Sequence, residues 1–173
     1  VSPPAAPRLV ATMTAVQDRL WVATDIGGVA RYENDPYQRH SDDVTGNPWF
    51  VCTLWLAQWQ IAKACTEDDL RAPLALLEWV AQRALPSGVL AEQVDPHSGA
   101  PLSVSPLTWS HATYVASVTE DRDKQSALSA GPPRGLACDV GERRSRRRQP
   151  QHPNTTQPTG HPTPPGDAAA HTP

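Results

Sequence analysis

Trp49-Phe50-Val51-Cys52-Thr53-Leu54-Trp55-Leu56-Ala57-Gln58-Trp59-Gln60-Ile61-Ala62-Lys63-Ala64 is the stretch whose reading decides the fold. Its apolar residues leave almost no polar face, and a helix apolar all round has to be buried on all sides. In a chain of 173 residues that describes an inner helix shielded by outer ones. Asn47-Pro48 just upstream has the form of an N-cap followed by proline at the first helical position, so the helix is expected over 48–64. Trp55, Trp59 and Trp79 lie in helix interiors and are expected in the core. The flanking segments read differently. Leu9, Met13, Val16 and Leu20 make a single apolar stripe, as do Leu70, Leu74, Leu77 and Ala81. Thr66 is placed to cap the latter helix, with Glu67, Asp68 and Asp69 favouring its positive end. Pro73 should kink that helix or delay its regular start. Leu85-Pro86-Ser87-Gly88 stops it, and Ser105-Pro106 opens a last helix through about Val118. No two-residue alternation persists long enough for a sheet. The expected class is all-α, built from helical hairpins, and alternating wholly apolar with singly striped helices suits a double ring.

Composition divides the chain. All six Trp fall between Trp21 and Trp109, and nine of the 19 Pro lie after residue 131. A Pro-, Arg- and Gln-rich segment cannot bury enough apolar surface to offset chain entropy, so residues 126–173 are read as a disordered tail and 6–125 as the helical domain. The net charge of -3 splits into -5 over residues 1–118 and +2 over 119–173. Arg143-Arg144-Ser145-Arg146-Arg147-Arg148 lacks interleaved aromatic residues for base stacking, and no nucleic-acid partner is expected. Asn154-Thr155-Thr156 fits a glycosylation sequon in form only. Cys52, Cys65 and Cys138 are odd in number and show no CxxC spacing; neither a disulfide framework nor a zinc site is expected, and Cys52 reads as a small core residue. His111 has no second His or Cys at ligand spacing and is read as a packing residue. No run of 18 apolar residues occurs and no basic-then-apolar leader opens the chain. No membrane association is expected; the absent leader says little about location, which is left unknown with the cytoplasm favoured.

Four blocks carry chemistry. Glu92 in Gly88-Val89-Leu90-Ala91-Glu92-Gln93 places a carboxylate in a turn-punctuated loop, where it is either a solvated surface group or a base facing a cavity. Arg31 in Gly28-Val29-Ala30-Arg31-Tyr32 is either a salt-bridge partner of Glu33 or Asp35, or a fixed fork for sugar hydroxyls. Trp49 in Gly46-Asn47-Pro48-Trp49-Phe50 sits where a partly open ring can pack on a sugar. Trp109 in Leu107-Thr108-Trp109-Ser110 reads equally as site wall or core.

Together these blocks resemble the C-terminal part of the glucoamylase and bacterial trehalase family of inverting glycosidases, of the glycoside hydrolase family 15, six-hairpin type. The resemblance implies a partial (α/α)6 toroid over roughly residues 6–125. It implies that Glu92 is the general base and that Arg31, Tyr32, Trp49, Gln93 and Trp109 contact substrate. The implied substrate is an α-linked glucose oligosaccharide or trehalose, with no metal and no cofactor. Such enzymes also need a general acid, which the family carries beside a Trp-Glu-Glu-like motif; that motif does not occur in this sequence. The expectation is a glycosidase fragment bearing the base but not the acid, inactive alone, with the missing N-terminal part of the enzyme as a possible partner. The alternative is a non-catalytic helical remnant or carbohydrate-contacting module.

Overall fold

The computed structural model describes residues 3–131. Four α-helices form its body: α1 (Pro7–Leu20), α2 (Phe50–Lys63), α3 (Arg71–Gln82) and α4 (Thr108–Ser129). Four two-residue strands accompany them: β1 (Val29–Ala30), β2 (Pro48–Trp49), β3 (Gln93–Val94) and β4 (Pro101–Leu102). They pair antiparallel in that order, with Val29 opposite Trp49, Trp49 opposite Gln93, and Gln93 opposite Leu102. The strands were not expected, and strands of two residues are too short to leave an alternating pattern.

The strands also correct the start of α2. Pro48 pairs with Ala30, and Trp49 is the extended residue that caps the helix. Thr53, fully buried in the first turn, donates its hydroxyl to the Trp49 carbonyl (2.8 Å) and accepts the Val29 amide (2.9 Å). One side chain thus satisfies main-chain groups of two strands and locks α2 to them. Phe50, Leu54, Leu56 and Ala57 then carry the core together with Leu76, Leu77, Trp79 and Val80 of α3 and Leu90, Ala91 and Val94. Trp79 donates its indole N–H to the Ile26 carbonyl (2.7 Å). Gly28 lies between that indole and Pro48, with φ +93° and no room for a Cβ.

The start of α3 follows the sequence. Thr66 accepts the Asp69 amide while Asp69 accepts those of Thr66 and Cys65, a reciprocal cap. A 3-10 turn (Asp68–Leu70) precedes regular helix, so Pro73 falls in the first turn of α3, where helical N–H groups lack intrahelical partners anyway. Residue Cys65 is disulfide-bonded, contrary to the expectation from cysteine count and spacing. Cys52 is a core residue whose thiol burial pushes up to about 12.

Two further expectations are corrected. α4 runs to Ser129, about three turns past Val118, because its buried stripe consists of Ser110, Thr113, Ser117 and Asp121 and is invisible to a search for apolar periodicity. Trp55 is exposed (48%) and packs edge-on against Trp109, which is 53% exposed. Trp59 is only partly buried and donates its indole N–H to the Pro4 carbonyl, whereas Trp79 is in the core as expected. Gln58 bonds Glu120 and Lys124 bonds the Ala62 carbonyl, so α2 and α4 run parallel, with α3 packed beside α2. The expected tail, residues 126–173, lies almost wholly outside the described residues. Among the described residues, no helix is long and apolar enough to cross a membrane.

Candidate active site

The small sheet gathers the residues that the sequence singles out. Arg31 leaves β1 and enters the long segment that returns at Asn47. Its guanidinium grips Asp35 with two parallel hydrogen bonds, Nε to Oδ2 (2.8 Å) and Nη2 to Oδ1 (2.9 Å). Asp35 is 2% exposed and also accepts the Tyr37 amide (3.0 Å). Burial works to raise the Asp35 pKa, but the hydrogen bonds from Arg31 and Tyr37 outweigh it and hold the carboxyl below its usual range. The same bond raises the pKa of Arg31. Salt bridge and ligand fork are therefore compatible, because Nη1 makes no hydrogen bond to the described residues and the Arg31 side chain is 36% exposed.

The guanidinium carbon lies 4.5 Å from the Trp49 ring centroid, 4.9 Å from Tyr32 and 5.2 Å from Tyr37. Trp49 is only 5% exposed, not partly open as expected, since Arg31 and Tyr37 cover it; its indole N–H has no hydrogen-bond partner among the described residues. It forms the floor beneath Arg31. Tyr32 and Tyr37 remain 46% and 40% exposed.

Glu92 reaches this cluster from the other side. Its amide donates to the Val104 carbonyl (2.9 Å), and its carbonyl accepts the Phe50 amide at the start of α2 (3.2 Å). Just upstream, Leu90 donates its amide to His111 Nε2 (3.0 Å), and Ser110 donates its hydroxyl to the Ala91 carbonyl (2.7 Å). His111 is thus the packing residue expected, and it helps fix the loop before Glu92. The half-buried Glu92 carboxylate accepts a short hydrogen bond from the Ser103 hydroxyl and one from Gln93 Nε2 (3.4 Å). Ser103 also bonds the Tyr37 hydroxyl (3.3 Å), and Tyr37 packs on Trp49 with ring centroids 6.1 Å apart. Glu92, Ser103, Tyr37, Trp49 and Arg31 therefore form one continuous cluster, with Gln93 and Tyr32 attached to it.

Trp109 stands on α4 next to Ser110, near the Glu92 loop, but its ring faces Trp55 and makes no described contact with the Arg31 stack. No group of His, Cys, Asp or Glu among the described residues is arranged to hold a metal.

Sequence comparison gives this cluster a context. The family model for glycosyl hydrolases family 15 matches residues 1–78 and 74–119. The chain belongs to glycosyl hydrolase family 15. An uncharacterized glycosyl hydrolase of Methanocaldococcus jannaschii is 30% identical over 123 residues, covering 66% of this chain and 18% of that protein. A glucoamylase of Neurospora crassa is 28% identical over 161 residues, covering 65% of this chain and 25% of the glucoamylase. A bacterial glucoamylase crystallised with acarbose superposes with a TM-score of 0.60 at 24% identity, over 71% of this chain and 18% of the other. The helices are accordingly part of the six-hairpin (α/α)6 arrangement, and this family 15 chain spans only 18% and 25% of its two curated relatives.

Sequence reasoning missed three members of this cluster. Asp35 entered only as an alternative partner of Arg31. Tyr37 and Ser103 carried no signal of their own; Ser103 has φ +63°, a backbone state that no residue pattern announces.

Proposed function

We propose that this chain supplies the base side of an α-glucosidic hydrolase site, with Glu92 as general base. The observation that carries the reading is the Glu92 carboxylate, held by Ser103 and Gln93 and linked through Tyr37 to a stacked, forked Arg31. An inverting reaction requires a base that deprotonates water on the face opposite the leaving group. The hydrogen bonds from Ser103 and Gln93 fix where the carboxylate points, which a base that must meet one water requires. Arg31, through its free Nη1, and Tyr32 would meet sugar hydroxyls, Trp49 and Gln93 would form the floor, and Trp109 would wall the cleft. The substrate would be an α-linked glucose oligosaccharide or trehalose.

The acid would come from elsewhere in the assembled enzyme. Glu33 is committed to Arg19 (2.7 Å), and Asp35 is buried in the Arg31 fork with its pKa lowered, the opposite of what a proton donor needs. A non-catalytic, carbohydrate-contacting role is the alternative.

The test is to assay the purified chain on maltose, trehalose and maltooligosaccharides, alone and with the complementary N-terminal part. Acarbose binding is followed in parallel by Trp fluorescence. The chain alone should show little or no turnover, because general acid catalysis typically contributes about 10²–10⁴-fold. In the assembled enzyme Glu92→Gln should abolish turnover and leave acarbose binding largely intact. Turnover by the chain alone that Glu92→Gln removes would refute the half-site reading. Unchanged turnover of the assembled Glu92→Gln enzyme would refute Glu92 as base.

A further inference from the structure

We propose that Asn47 is a positioning residue for Glu92, acting through the buried side-chain amide of Gln93; this rests on the reading of Glu92 as the base. Asn47 is 3% exposed and Gln93 is fully buried. Asn47 Oδ1 accepts the His40 amide (3.3 Å), while its Nδ2 donates to the Gln38 carbonyl (2.6 Å) and to Gln93 Oε1 (2.9 Å). A main-chain N–H can only donate and a main-chain carbonyl can only accept. The amide orientation of Asn47, often ambiguous in a side chain, is therefore dictated by two main-chain groups of the 31–47 segment.

The consequence passes to Gln93. Because Asn47 offers it a donor, Gln93 must turn its oxygen towards Asn47 and its nitrogen towards Glu92, where Nε2 lies 3.4 Å from Oε2. The main chain keeps the three residues in register, since Trp49 pairs with Gln93 and the Phe50 amide bonds the Glu92 carbonyl. A Gln93 amide turned the other way would present an oxygen to the carboxylate, setting two acceptors face to face with no proton between them. Asn47 thus decides whether the base faces a donor or an acceptor without touching substrate itself. Asn47→Asp keeps the shape but replaces the donor with an acceptor, which draws Gln93 Nε2 away from Glu92.

The experiment is an NMR pH titration of the isotope-labelled full chain, following the Gln93 side-chain NH2 signals and the Glu92 carboxyl carbon. In the unsubstituted chain the Gln93 amide protons should exchange on the order of tenfold or more slower than those of exposed Gln82. The Gln93 nitrogen signal should also move as Glu92 takes up its proton, and that movement should vanish in Glu92→Gln. In Asn47→Asp the movement should disappear or change sign. A side chain that merely fills space would leave the coupling intact. Should Asn47→Asp not fold, Asn47→Ser, which removes the fork without adding charge, should weaken the coupling and speed Gln93 exchange. A Gln93 signal indifferent to Glu92 protonation overturns the proposal, as does a folded Asn47→Asp or Asn47→Ser chain with unchanged coupling. Neither result touches the role of Glu92, which the turnover of the assembled enzyme decides independently.

Discussion

Replacing Arg31 should cost stability because of what it leaves behind. Asp35 is 2% exposed, and without the guanidinium its carboxylate keeps the Tyr37 amide and the Tyr32 hydroxyl but no cation. Stranding one charge of a fully buried pair costs about 3–5 kcal/mol. The Arg31 side is 36% exposed, so water reaches part of the vacated site and the expectation for Arg31→Ala falls to about 2–3 kcal/mol. With a urea slope of about 2 kcal/mol per molar, the midpoint should drop by about 1–1.5 M. The assay is urea unfolding followed by Trp fluorescence across the four chains of a double-mutant cycle with Asp35→Asn. In the Asp35→Asn background Arg31→Ala should cost about 1 kcal/mol or less, leaving a coupling of at least about 1 kcal/mol. The pH dependence has a fixed sign. The folded Asp35 pKa is lowered, so its contribution is present above the unfolded aspartate value of about 3.9 and is lost as pH falls through the lower folded value. The coupling should therefore be full at pH 5–7 and fade only in stronger acid, roughly below pH 4. A coupling within about 0.5 kcal/mol of zero at pH 7 would refute the buried-pair argument.

Asp121 should behave in the opposite sense. Burial raises its pKa, and among the described residues its Oδ1 has no hydrogen-bond partner while its Oδ2 accepts from Gln125. Stability is thus lost as pH rises from the unfolded aspartate range to the higher folded value; Asp121→Asn should gain about 1 kcal/mol over the unsubstituted chain at pH 7 and nothing at pH 3. An advantage that is equal at both pH values, or absent at pH 7, counts against this. Gly28→Ala should cost about 2 kcal/mol or more in thermal unfolding, since φ is +93° and a Cβ would meet Trp79 at 2.7 Å and Pro48 at 2.8 Å. Gly88→Ala, with φ +80° and nothing within 4 Å, should cost only about 1–2 kcal/mol; equal costs would show that backbone strain alone matters.

The helices were legible where burial is apolar and regular. The Leu9–Leu20 stripe, the Thr66 cap and the delayed start at Pro73 all rest on local rules that the structure obeys. Pairing between distant positions was not legible: Pro48 follows its strand partner Ala30 instead of its own helix propensity. Trp55 shows the limit of the all-apolar argument, which says that a face must be covered but not by which residues. The site residues came from a family resemblance that spacing alone does not supply. Asn47 was noticed as a helix cap, whereas its side chain turns inward to Gln93. Asp35 and Tyr37 join the site through contacts that only the folded segment creates.

The two-residue strands have a consequence for how this chain tolerates insertions and deletions. Each strand fixes alternate neighbours on opposite faces, and a shift of one residue exchanges them. Lengthening the 95–100 connection at its tip leaves Trp49 opposite Gln93, so that stretch is free to drift in length, whereas Arg31, Asp35, Tyr37 and Asn47 hold much of the 31–47 connection. A single residue gained or lost between Pro48 and Phe50, or between Glu92 and Val94, would instead carry Trp49 or Gln93 to the wrong face. Indels should accumulate in the first set of positions and be purged from the second, although the two sets lie only a few residues apart.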